Sequence, residues 1–166
     1  MLSIQMYTLR NSMKTREDLE NTLRRVAEMG YDSVQITPPA FLSMEEMAQI
    51  NLAALREANP DVVGWILIPD TVINYPLMQG ADNDYYLNHT WNGTRNSMGA
   101  IFMDYRNSAS LDDFNTIIYG HNMINGSMFG GLHNYRRPNY RDTHPYVYIA
   151  NDDGVFRFDI FAAQSA

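Results

Sequence analysis

Hydrophobic and polar positions alternate in two distinct rhythms along the chain. Leu2–Tyr7 form a short apolar run open to helical and strand readings. The turn-like Arg10–Asn11–Ser12 after it favours a strand. Thr15 reads as a helix N-cap, with Glu17 and Asp18 in the first turn, where they complement the helix dipole. Leu19, Leu23, Val26 and Ala27 then share one apolar face, and Gly30 closes the helix. Ser33–Thr37 reads as a second strand, stopped by Pro38–Pro39. The order strand, helix, strand predicts one parallel βαβ unit. A second helix is predicted over Ser43–Ala58. Ser43 and Glu46 form a capping box, and Met47, Ile50, Ala54 and Ala58 lie on one face. Asn59–Pro60 ends it.

After Pro60 the helical rhythm gives way to short apolar segments punctuated by Gly, Asn and Asp. Val62–Ile68, Ile73–Gln79, Gly99–Tyr105 and Thr116–Tyr119 read as strands. Tyr146–Ala150 and Val155–Phe161 flank the turn Asn151–Asp152–Asp153–Gly154, a strong hairpin signal. In the second arm Val155, Arg157 and Asp159 alternate with Phe156, Phe158 and Ile160. A brief helix is expected over Ser127–Tyr135. Strands at this spacing predict a β-barrel or sandwich. The expected fold is therefore mainly β, α+β overall. A βαβ piece occupies residues 1–48, a β-barrel piece residues 49–166, and the second helix spans the junction.

Composition narrows the chemistry. The 166 residues include no cysteine, which excludes disulfides, thiolate metal sites and a cysteine nucleophile within this sequence. Twelve Lys+Arg against 19 Asp+Glu give a net charge of -7, and the densest basic cluster, Arg136–Arg137 with Arg141, is small. General nucleic-acid binding is not expected. No apolar run approaches the roughly 18 residues of a membrane-spanning helix, and no basic-then-apolar leader opens the chain. On this sequence alone the expected location is cytoplasmic.

Five ordered blocks carry a resemblance. Asn59–Ile66 with Ile68–Pro69, Asn74–Pro76 and Gln79–Gly80 come first, followed by Asp82–His89, Ile101–Arg106, Asn115–Met123 and Gly126–Gly130. Together they resemble class B sortases. The resemblance implies an eight-stranded β-barrel cysteine transpeptidase that cleaves a sorting signal and passes the acyl group to a cell-wall or protein amine. The family is anchored outside the membrane of Gram-positive bacteria. The histidine of the family's Tyr-Gly-His block falls on His121, the acid/base partner. Substrate-groove positions fall on Asn83, Leu87 and Tyr119. The family's cysteine and arginine strands have no counterpart in these residues. Without a thiolate there is no covalent step, so the 166 residues are expected to be catalytically silent. A non-catalytic sorting-peptide-binding module is the alternative. A barrel lacking strands is also expected to self-associate through its open edges.

Ser3–Arg10 and Leu23–Tyr31 resemble something else: the opening of sugar-phosphate isomerase/epimerase barrels of the xylose-isomerase type. Only the first β-α-β stretch is matched, so no metal or catalytic residue is carried over, and this fragment reading is a further alternative. Two resemblances meeting within one predicted helix point to a chimeric chain.

Other features have plain explanations. His89, His133 and His144 lack carboxylates at metal-ligand spacing, and no HExxH occurs. Asp82–Asn83–Asp84 and Asn151–Gly154 lack the glutamate of a calcium loop, and turn chemistry accounts for them. No metal and no cofactor is expected. The Asn-x-Ser/Thr triplets at Asn88, Asn92 and Asn125 matter only in a eukaryotic secretory pathway. The eleven methionines read as core filler.

Overall fold

The computed structural model describes residues 3–5, 33–35, 47 and 49–164. The chain divides into two compact units, Met1–Phe41 and Leu42–Ala166. In the first, β1 (Ser3–Gln5) pairs in parallel with β2 (Ser33–Gln35), Ser3 opposite Ser33 and Gln5 opposite Gln35. Parallel pairing is what strand, helix, strand order requires. The helix expected between them lies outside the described residues.

The second unit opens differently from expectation. Met47 is helical, but Gln49–Asn51 are not, and α1 covers only Leu52–Ala58. One continuous helix over Ser43–Ala58 is therefore not formed. Asn51 provides the reason. Its side-chain oxygen accepts the Ala54 N–H at 3.0 Å, a cap that starts a new helix. The Ser43–Glu46 capping box lies outside the described residues. The buried face is the expected one only in part. Met47 and Leu52 are buried and Ile50 and Leu55 half-buried, whereas Ala54 and Ala58 are exposed.

Six strands follow in one sheet: β3 (Val62–Leu67), β4 (Asn74–Met78), β5 (Ile101–Met103), β6 (Ile118–Tyr119), β7 (Tyr146–Asn151) and β8 (Gly154–Asp159). Their order is β6-β5-β4-β3-β7-β8. The expected strands are all present, several shorter than the apolar runs that announced them. β3 is central and buried on both faces. Ile66 and Ile68 join Ile73, Leu77, Ile101 and Ile149 on one side, while Trp65 and Leu67 pack with Met47 on the other. Burial on both faces explains why its sequence is an unbroken apolar run. The β7–β8 hairpin forms as expected. Asn151 Oδ1 accepts from the Asp153 and Gly154 N–H groups at 2.9 and 3.2 Å, and Gly154 takes φ +140°. Among the described residues β8 pairs on one side only, and Phe158 on it is 42% exposed.

One pairing breaks the antiparallel pattern. β4 and β5 run parallel, Leu77 opposite Ile101 and Met78 opposite Phe102. Parallel neighbours need a crossover rather than a hairpin, and residues 79–100 supply it. The crossover contains a 3-10 turn at Tyr85–Leu87. Beyond β6, a 3-10 helix at Phe129–Arg136 takes the place of the brief helix expected over Ser127–Tyr135, and α2 (Tyr140–Thr143) leads into β7.

Candidate functional site

The crossover fixes its own shape through turn chemistry. Asp82 Oδ1 accepts the N–H groups of Asp84 and Tyr85, both at 2.9 Å, and so starts the 3-10 turn. These bonds hold the Asp82 carboxyl below its ordinary range. Asp82–Asn83–Asp84 is thus a turn, as the sequence predicts. Tyr86 anchors the segment from beneath. It is buried, donates its hydroxyl to Asp61 Oδ2 at 2.8 Å and accepts from Asn59 Nδ2 at 2.9 Å. Tyr85 and Leu87, on either side, stay 43% and 40% exposed.

Asn83 reaches from this crossover to the end of β5. Its Nδ2 donates to Asp104 Oδ2 at 2.9 Å, and its Oδ1 accepts the Tyr105 N–H at 3.1 Å. Tyr119, the last residue of β6, donates its hydroxyl to the same Asp104 oxygen at 2.9 Å. The Tyr119 ring lies 5.1 Å from that of Phe102, its cross-strand partner. Two candidate groove residues from separate sequence blocks therefore meet on one carboxylate.

Asp104 is 1% exposed. A buried carboxylate is stable only when paired and hydrogen-bonded, and here both oxygens are occupied. Oδ1 accepts from the Arg106 N–H at 3.0 Å and Arg106 Nε at 2.9 Å, and Oδ2 also accepts from an Arg106 terminal nitrogen at 2.8 Å. The bonds from Arg106 hold the Asp104 carboxyl well below the usual carboxylate range, outweighing desolvation. The Arg106 guanidinium is pushed up in return, and the Tyr119 phenol is raised, first by its bond to Asp104 and then by burial. Gln79 closes the arrangement by donating to the backbone oxygens of Asp104 and Asn107 at 2.9 and 2.7 Å.

His121 stands two residues past Tyr119. Gly120, between them, permits a close approach. A Cβ there would collide with Ile101 Cδ1 and the Phe129 ring. The His121 backbone oxygen accepts the Phe129 N–H at 2.9 Å, and Asn122 bridges to Met128. The His121 side chain is half-buried, and no described residue hydrogen-bonds its imidazole. The structure thus joins Asn83 and Tyr119 through Asp104, while Leu87 and His121 share no hydrogen bond with them. Among the described residues, no group of three His, Cys, Asp or Glu side chains could hold a metal ion. His133 is exposed and bonds Asn122 Oδ1 at 2.7 Å; His144 stacks on Tyr140 at 4.1 Å.

Asp104 and Arg106 are the site residues that sequence reasoning passed over. The signal was faint but physical: a carboxylate directly after the apolar run Ile101–Met103, with a guanidinium two positions on.

The sortase domain family matches residues 66–166. The chain belongs to the sortase family. Within it, the chain is 44% identical over 111 residues to sortase B of Listeria monocytogenes, an overlap of 67% of this chain and 45% of that protein. A Bacillus anthracis protein similar to sortase B superposes with a TM-score of 0.64 at 40% identity, covering 67% of this chain and 52% of that one. A Staphylococcus aureus sortase B–substrate complex superposes with a TM-score of 0.66 at 28% identity, over 88% of this chain and 61% of that one. The domain is class B sortase-like, with a mainly β sortase-type fold. The chain spans about half the length of the curated relatives it matches.

Proposed function

We propose that the second unit supplies the substrate groove and acid/base histidine of a class B sortase, acting on a sorting-signal peptide at the Gram-positive cell wall. The observation that carries this reading is the convergence of Asn83 and Tyr119 on buried Asp104, at the strand end that leads into His121. Leu87, exposed on the crossover, adds an apolar contact for the peptide. In transpeptidation a thiolate attacks the scissile carbonyl and the peptide amine departs with a proton from His121. An acceptor amine of the cell wall then displaces the thiolate. The 166 residues contain no cysteine. The thiolate therefore has to come from outside this sequence, and the 166 residues by themselves bind without turning over.

Binding alone is the second reading, and the absence of cysteine favours it for the chain taken by itself. The test is a titration of the 166-residue chain with the substrate of the Staphylococcus aureus sortase B–substrate complex. Saturable binding that shifts the Asn83 and Tyr119 resonances supports the groove reading. No saturation at millimolar substrate overturns it.

For residues 1–48 we infer the β-α-β opening of an isomerase/epimerase-type barrel joined to the sortase-like piece over 49–166. Supporting this is the parallel register of β1 and β2. Sugar-phosphate turnover surviving deletion of residues 49–166 is the result that would assign an activity to it.

A further inference from the structure

Asn83 and Tyr119 lie on elements with no direct backbone connection, yet both are oriented by one atom. Asp104 Oδ2 accepts from Asn83 Nδ2 and from the Tyr119 hydroxyl, each at 2.9 Å. Arg106 neutralises the carboxylate and clamps it from two sides, with its guanidinium on both oxygens and its backbone N–H on Oδ1. The pairing leaves the carboxylate ionised, so it accepts only.

An acceptor-only centre dictates the direction of every bond around it. The Tyr119 proton points at Asp104, so the phenolic oxygen meets any other partner as an acceptor. The Asn83 amide has only one tenable orientation. Its NH2 must face the carboxylate, because a flipped amide would set oxygen against oxygen and also face nitrogen to the Tyr105 N–H. One Nδ2–H of Asn83 remains to be offered elsewhere. The two side chains therefore present one acceptor and one donor, the complement of a peptide amide with its C=O and N–H.

We infer that Asp104 is the positioning residue of the groove, fixing Tyr119 as an acceptor and Asn83 as a donor toward a bound peptide amide. This rests on the groove reading above and deepens it by assigning the polarity with which the groove reads its ligand. Arg106 is the counter-charge that keeps the centre an acceptor. Neither residue touches the reacting bond.

The test uses the 166-residue chain labelled with 15N, the same Staphylococcus aureus substrate as probe, and two readouts: the Asn83 side-chain amide signals and the dissociation constant. Asp104→Asn replaces an acceptor-only centre with one that also donates. The expected result is a displaced Asn83 amide pair and binding weakened about tenfold or more, the scale of one charge-assisted hydrogen bond. Ile149→Val, on β7 in the core, is the control for a merely structural loss. It lowers stability and leaves both readouts in place. Should Asp104→Asn fail to fold, Asp104→Glu keeps the charge for Arg106 but moves the carboxylate by one methylene, and the same two readouts apply. Unmoved Asn83 signals, or binding within about twofold of wild type, would overturn the inference. Absence of saturable binding by the wild-type chain is a different failure, visible before any variant is made. It overturns the groove reading and this inference with it.

Discussion

Tyr119 donates its phenolic proton to the buried Asp104 carboxylate across 2.9 Å, joining the end of β6 to the end of β5. The bond links two short strands, in which Phe102 pairs with Tyr119 and Met103 with Ile118, and the Asp104 N–H reaches the Ile117 oxygen at 2.9 Å. Side-chain chemistry therefore reinforces a short ladder at its end.

Acid tests this directly. The folded-state pKa of Asp104 is depressed, so its contribution is fully present above the unfolded value of about 3.9 and is lost as pH falls below it toward the folded value. Denaturant midpoints should show a full and constant contribution from Asp104 between about pH 5 and 8 and a fall below about pH 4. Asp104→Asn should lower the midpoint at neutral pH and flatten the acid limb. An unchanged acid limb in that variant would assign the acid sensitivity to other carboxylates.

Gly120 is required by packing. Gly120→Ala places a methyl group against Ile101 Cδ1 and the Phe129 ring. Overpacking of this kind costs about 1–3 kcal/mol. Urea unfolding should report a loss in that range, with amide shifts at His121 and Phe129 larger than elsewhere.

The Trp65–Asn74 pair predicts a second loss. Trp65 Nε1 donates to Asn74 Oδ1 at 2.6 Å, and both residues are buried. Asn74→Leu leaves the indole N–H without its acceptor, at a cost of about 1–3 kcal/mol. Tryptophan fluorescence during denaturation measures it directly, because Trp65 sits in the core.

His121→Ala should separate binding from chemistry. An acid/base residue contributes to the reacting bond, so substrate affinity should stay within about twofold of wild type. A loss of about tenfold would instead make His121 a binding residue. The 166-residue chain itself should cleave no substrate, measured by mass spectrometry of the incubated peptide.

Sheet edges predict association. Among the described residues β6 and β8 each pair on one side only, and Phe158 is exposed on β8. Unpaired edges template intermolecular strand addition. Sedimentation velocity should show larger species growing with concentration, and Phe158→Lys should reduce them. A monomer across the whole concentration range would count against this.

Much of the β framework was legible in order. The apolar run Val62–Ile68 announced the strand Val62–Leu67 because both of its faces are buried, and Asn151–Gly154 announced a hairpin because few residues suit its geometry. The helix boundary was not legible. Ser43–Ala58 reads as one helix by periodicity, and only the Asn51 side chain on the Ala54 N–H shows where a new one starts. Local patterns report what each residue prefers, and two preferences of similar strength are decided by packing.

The candidate site divides the same way. His121, Asn83, Leu87 and Tyr119 could be placed from the sequence blocks that contain them. What the sequence determined was the roster of strands, the absence of a thiol and the presence of these side chains. Only the tertiary structure decided that Asn83 and Tyr119 meet, and on which atom. The parallel β4–β5 crossover brings residue 83 beside residue 104, and a buried carboxylate must collect every donor within reach. That requirement is set by three-dimensional proximity, which no spacing along the chain encodes.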